Sequence, residues 1–97
     1  MPLLEEIRGH KQGLEAIARD CGVSNIRVFG SAVRGEERPE SDVDLLITFD
    51  NAGFTGFDLG GFQYNASELL GRRVDVVMDH HIHPQLAARI LKEAVPL

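Results

Sequence analysis

Phe29-Gly30-Ser31-Ala32-Val33-Arg34-Gly35-Glu36-Glu37-Arg38-Pro39-Glu40-Ser41-Asp42-Val43-Asp44-Leu45-Leu46-Ile47 is the stretch on which the fold turns. Its second half, continued by Thr48, is an apolar, β-branched run that predicts a strand. Side chains two apart on a strand share a face, so Asp42 and Asp44 point the same way. Two carboxylates held side by side repel unless a proton or a cation neutralises them. A hard divalent ion such as Mg²⁺ suits the pair, because it favours oxygen ligands and shares them with substrate phosphates. Gly30-Ser31, separated from Asp42 by ten residues, supplies the complement. Glycine lets the backbone approach a phosphate closely, and a helix that starts there offers free N–H groups.

Working outward, residues 3 to 20 predict one helix. Leu3, Leu4, Ile7, Leu14, Ile17 and Ala18 recur at helical spacing between charged residues, and Gly22 is the stop. Gly9 and Gly13 weaken its middle. Asn25 to Phe29 predicts a short strand and Ser31 to Gly35 a short helix, followed by a polar connection to Ser41. On the second strand, Val43 to Phe49, the residues Val43, Leu45 and Ile47 face away from the two acids and toward helices. Residues 50 to 56 compose a loop. A helix over Phe57 to Leu70 carries the stripe Phe57, Phe62, Ala66, Leu69 and Leu70, with Gly60-Gly61 marking a close approach or a frayed start. Arg73 to Met78 is the third strand. Pro84 to Ala94 is the last helix, with Leu86, Ala87, Ile90, Leu91 and Ala94 on one face. The order α-β-α-β-α-β-α predicts a two-layer α+β (α/β) domain.

The chain has 97 residues, 43% of them hydrophobic and 26% charged, which makes one soluble globular domain spanning 1–97. No apolar run reaches the roughly 20 residues needed to span a bilayer, and the start, Met1-Pro2-Leu3-Leu4-Glu5-Glu6, lacks the basic region of a signal peptide. A single cysteine, Cys21, forms no internal disulfide and fits a reducing cytoplasm. The formal charge of −5 argues against direct DNA binding, which rests on Lys and Arg neutralising phosphates. An acidic protein still handles nucleotides through bridging metal ions, and it also docks onto basic proteins.

The segment from Phe29 through Gly30-Ser31, Arg34-Gly35-Glu36 and Ser41 to Asp42-Val43-Asp44 resembles the signature of the DNA polymerase β-like nucleotidyltransferases. Its brevity makes it similar to the minimal nucleotidyltransferase (MNT) subfamily, many of whose members are antitoxins paired with a HEPN-domain toxin. The resemblance implies a palm-like mixed sheet with helices packed on one side. It also implies two Mg²⁺ ions held by Asp42, Asp44 and a third acid, with ATP as the substrate. Gly71-Arg72-Arg73-Val74-Asp75 matches the context of that third acid, so Asp75 is its candidate and Asp79 the alternative. Gly30 and Ser31 are then expected to cradle the triphosphate, and Arg34 to reach it. The implied reaction is transfer of AMP to a hydroxyl, with a toxin tyrosine as acceptor. These residues include no further domain to bind an acceptor, so a partner protein is expected to supply it. The rival expectation is a non-catalytic antitoxin that neutralises by forming a complex.

Each residue also has an ordinary structural reading. Asp42 and Asp44 would be solubilising acids on an exposed strand face, and Asp75 an edge-strand acid turned to solvent. Ser31 would be the N-cap of a strand-to-helix turn, and Arg34 would pair with Glu36 or Glu40. His80, His81 and His83 invite a zinc reading, but zinc sites need three or four ligands converging from set spacings, Cys21 is distant in sequence, and the cluster sits in a turn before Pro84, so surface histidines are expected. Arg72 and Arg73 read as strand-edge charges, and Cys21 as a packed residue at a helix end.

Overall fold

The computed structural model describes residues 2–49, 56–80 and 82–97, without the side chains of Gly56 and Phe57. Of the anticipated loop at residues 50–56, residues 50–55 lie outside the described residues, as do the Phe57 side chain and His81, while Gly56 already belongs to a helix. Three apolar, β-branched runs become the strands β1 (Val23–Phe29), β2 (Val43–Phe49) and β3 (Val74–Met78), and the chain ends on a two-residue strand, β4 (Val95–Pro96). They form one mixed sheet in the order β3-β2-β1-β4. β1 runs antiparallel to both β2 and β4, whereas β2 and β3 are parallel. A parallel pair needs a crossover, and helix α4 (Gly56–Leu70) supplies it.

Strand alternation sorts the sheet's two faces. Ile26, Val28, Val43, Leu45, Ile47 and Val74 are buried on one of them. Against it lie α1 (Leu3–Gly9) with Leu3 and Ile7, α2 (Lys11–Cys21) with Leu14 and Ala18, and α4 with Phe62, Ala66 and Leu70. Burying a side chain such as Phe62 or Leu45 contributes roughly 1.5–3 kcal/mol. The acids of β2 and β3 are left to the other face. Short helix α3 (Ser31–Arg34) follows β1, and α5 (Pro84–Glu93) follows β3. No described helix is long and apolar enough to cross a membrane.

Several expectations need correction. The single helix over 3–20 is two, because the chain leaves helical geometry at His10 (φ −103°, ψ 17°), just after Gly9. The turn lets Leu3/Ile7 and Leu14/Ala18 each aim at the core. β1 begins at Val23, two residues early, with a register irregularity between Val23 and Asn25. Helix α5 buries no residue, and Leu86 and Leu91 stay 50% and 45% exposed, so the supposed core stripe is largely open. The close approach belongs to Gly13 rather than Gly60-Gly61. A Cβ at Gly13 would come within 2.8 Å of Leu69, whereas one at Gly60 or Gly61 would meet nothing within 4 Å among the described residues.

That open space fixes the sign of a substitution. Gly60→Ala and Gly61→Ala should each stabilise the protein by about 0.5–1 kcal/mol, since both sit inside a helix with room for a methyl group. Urea unfolding of the double variant checks this; a lower midpoint would show that the glycines serve some purpose other than helix geometry.

Candidate active site

Register brings the anticipated residues together. Asp44 on β2 lies opposite Phe29 of β1 on one side and opposite Asp75 of β3 on the other. Adjacent strands are roughly 4.8 Å apart, so Asp44 and Asp75 stand side by side on one face. Asp42 precedes β2 on that same face, and Phe29 leads directly into Gly30. One end of the sheet thus collects Gly30, Asp42, Asp44 and Asp75 from three neighbouring strands and the turn between two of them.

Gly30 is pressed against Asp44. Its backbone (φ +83°) lies in the region that L side chains avoid, and a Cβ there would collide with the Asp44 carboxylate. The Gly30 carbonyl accepts from the N–H groups of Val33 (3.1 Å) and Arg34 (3.2 Å), which starts α3. The capping position is therefore Gly30 and not the anticipated serine. Ser31 is the first helical residue, and its hydroxyl makes no hydrogen bond among the described residues.

Charge is concentrated here without a matching cation. Burial first, then Asp75 and Asp42, push the Asp44 carboxyl from 3.8 up to about 6, against a smaller opposing pull from Arg34. The nearest basic group to Asp42 is the exposed Arg73, whose Nε is 3.8 Å from Oδ2. Among the described residues, no three His, Cys, Asp or Glu side chains converge tightly enough to cage an ion unaided. The donor set is nonetheless all carboxylate, the chemistry suited to Mg²⁺, an ion that keeps several waters and takes phosphate oxygens beside one or two protein ligands.

Arg34 makes the Glu36 pair anticipated as its ordinary reading (Nε to Oε1, 2.8 Å), and it also makes one that local sequence does not reveal. Its Nη1 donates to Glu93 Oε1 at 2.6 Å, while the Gly30 N–H donates to Glu93 Oε2 at 2.9 Å. Burial alone would raise the Glu93 carboxyl, but the bonds from Arg34 and Gly30 outweigh it and hold the group below the ordinary glutamate range. The sequence carries a faint signal for this residue. Glu93 continues the half-buried positions Ala87 and Ile90 at helical spacing, which puts a carboxylate on the inward stripe of α5.

The connection from α3 to β2 is clasped by residues read as bystanders. Arg72 Nη1 donates to the carbonyls of Pro39 (2.9 Å) and Ser41 (3.4 Å), and Nη2 lies 3.7 Å from Glu6. Ser41 exchanges two hydrogen bonds with Arg38, its Oγ accepting at 2.7 Å and its N–H donating at 2.9 Å. Arg72 is thus a support for the Asp42 approach rather than a free edge charge. Asp79, the alternative third acid, sits by the far end of β2, where it accepts from Thr48 Oγ1 at 2.6 Å and pairs with Arg27 at 3.4 Å. His80 is exposed, and His83 Nδ1 caps α5 by accepting from the Gln85 N–H at 3.2 Å. Cys21 is half-buried at the end of α2, and burial, then Asp58 and Asp20, push its thiol up.

Two tests follow from this geometry. Gly30→Ala should destabilise by about 1–3 kcal/mol, part of it strain and part contact with Asp44. Gly30→Ala/Asp44→Ala should then cost less than the sum of the single changes in a double-mutant cycle. The second test is titration. A carboxyl raised in the folded state adds stability below its unfolded pKa, and that stability is lost as pH rises through about 6. In metal-free protein, Asp44→Asn should match wild type in Tm near pH 4 and exceed it above pH 7.

Residues 7–97 match the nucleotidyltransferase domain family. The chain is 38% identical over 99 residues to the protein adenylyltransferase MntA of Thermococcus cleftensis, covering 98% of this chain and 96% of that protein. A solved minimal nucleotidyltransferase superposes with a TM-score of 0.84 at 38% identity, over 97% of this chain and 95% of that one. The fold alone is also shared, at 16% identity and a TM-score of 0.67, with a chain from the complex of a tri-AMPylated Shewanella oneidensis HEPN toxin with MNT antitoxin, over 99% of this chain and 71% of that one. With the glycine turn and the acids of β2 and β3 gathered at one end of its sheet, the chain belongs to the nucleotidyltransferase domain family, in its minimal, MNT-type branch.

Proposed function

We propose that this protein transfers AMP from ATP onto a protein hydroxyl, with a tyrosine of a HEPN-domain toxin as the acceptor and neutralisation of that toxin as the outcome. The observation that carries the proposal is the register that sets Asp44 between the Gly30 turn and Asp75. End-to-end likeness to a protein adenylyltransferase supports the choice of AMP and of a protein acceptor.

In this reaction Gly30 and Ser31 receive the triphosphate, offering backbone N–H groups and the unengaged serine hydroxyl, and Arg34 adds a guanidinium. Asp42, Asp44 and Asp75 would hold Mg²⁺, which supplies charge neutralisation at the leaving pyrophosphate and activation of the attacking oxygen. Asp75 accepts the proton as the tyrosine oxygen attacks the α-phosphorus. A new phosphorus–oxygen bond forms, the bond to the bridging oxygen breaks, and pyrophosphate leaves with that electron pair. Catalysis of this kind consists of positioning and electrostatic stabilisation, which is within reach of a 97-residue domain.

The test incubates the protein with Mg²⁺, labelled ATP and a candidate HEPN partner, beside Asp42→Asn/Asp44→Asn. Intact mass spectrometry should find AMP added to the partner by wild type, with the rate cut at least about 100-fold in the variant. A tight complex that protects against the toxin without any label would instead establish a non-catalytic antitoxin.

A further inference from the structure

We propose that Glu93 is a built-in anion that occupies the phosphate-binding donors at Gly30 and Arg34, so that an incoming triphosphate must displace it. The proposal rests on the nucleotide reading above.

Both carboxylate oxygens of Glu93 are engaged, one by the Gly30 N–H (2.9 Å) and one by Arg34 Nη1 (2.6 Å). These are the donors a phosphate would use, and they already converge on an oxyanion delivered from 63 residues further along the chain. The Glu93 side chain is only 15% exposed, although Arg34 is 36% exposed, and its bond to the Gly30 N–H is partly buried. Charge-assisted bonds of this sort are the strong ones, and a ligand that needs the same donors must replace them.

Three features separate this from a mere tether for α5. Arg34 is also held through its Nε by Glu36, so the guanidinium keeps an anchor when Glu93 departs. Helix α5 buries no residue of its own, while β4 directly after it stays in the sheet through the Val28–Val95 pairing, so a change of the Glu93 side-chain rotamer frees the donors without unmaking the core. Glu93 also adds negative charge beside Asp44, which already faces Asp75 and Asp42. A fourth carboxylate there opposes the arrival of another anion as long as it stays.

Isothermal titration of the full chain with AMP-PNP and Mg²⁺ tests this. Glu93→Gln keeps the shape and removes the charge, and should bind about tenfold tighter than wild type. Glu93→Ala should move the same way, which guards against misfolding of either variant. Adenosine, lacking phosphates, should show no gain. His83→Ala, which removes the N-cap of α5 and leaves Glu93 in place, should leave affinity unchanged and so separates helix loosening from charge removal. Equal or weaker AMP-PNP binding by both Glu93 variants, with wild type binding normally, would overturn the proposal and leave Glu93 a positioning residue. A gain shared by adenosine or by His83→Ala would overturn it too. If neither wild type nor variants bind AMP-PNP, the nucleotide reading itself falls with it.

Discussion

The contact between the Gly30 backbone and the Asp44 carboxylate leaves no room for a side chain, and the rest of the site is built around it. It requires a positive φ at residue 30, which turns the chain out of β1 and into α3. It requires β1 and β2 to pair so that Phe29 falls opposite Asp44. The parallel addition of β3 then sets Asp75 on the other flank. A shift of one residue in either pairing would send an acid to the helix-covered face, where an unpaired charge is costly. The hydrophobic alternation of Val43, Leu45 and Ile47 therefore fixes the chemistry as firmly as it fixes the core.

The site is also arranged against its own stability. Three carboxylates share a face, and burial with its two acidic neighbours pushes one of them, Asp44, from 3.8 up to about 6. Such crowding is tolerated only because the opposite face of the sheet buries a continuous apolar layer from Leu3 to Val74. Glu93 answers the remaining imbalance on the donor side by filling the Gly30–Arg34 cradle. The Gly30 and Arg34 donors are thus satisfied within the chain, while Asp42 has only the exposed Arg73 at 3.8 Å.

How much of this was legible in the sequence depended on range. Gly30, Asp42 and Asp44 declared themselves because their geometry follows from local rules: a glycine turn, a two-residue strand period and a short spacing. Asp75 was legible through the family resemblance, in the context Gly71-Arg72-Arg73-Val74-Asp75. The break at His10 was not, since helical spacing runs across it and only packing shows that two segments aim separately. The role of Arg72 depends on carbonyls more than 30 residues away, and that of Glu93 on donors farther still, so composition made both look like surface charge. Helix α5 misled for the opposite reason: its periodicity is strongly amphipathic, yet nothing in a period says what the apolar side meets.

The two outer strands carry a consequence for behaviour at high concentration. An exposed sheet edge is a template for pairing with another chain. On one side the edge strand is β4, where Pro96 lacks an N–H to donate. On the other it is β3, an apolar segment in which Asp75 is the one charged residue. The acid proposed to serve the chemistry is thus also the one charge within this outer strand. An apolar residue at position 75 would leave this edge strand without a charge, so an acid there has a use in keeping the sheet edge apart whether or not it serves catalysis.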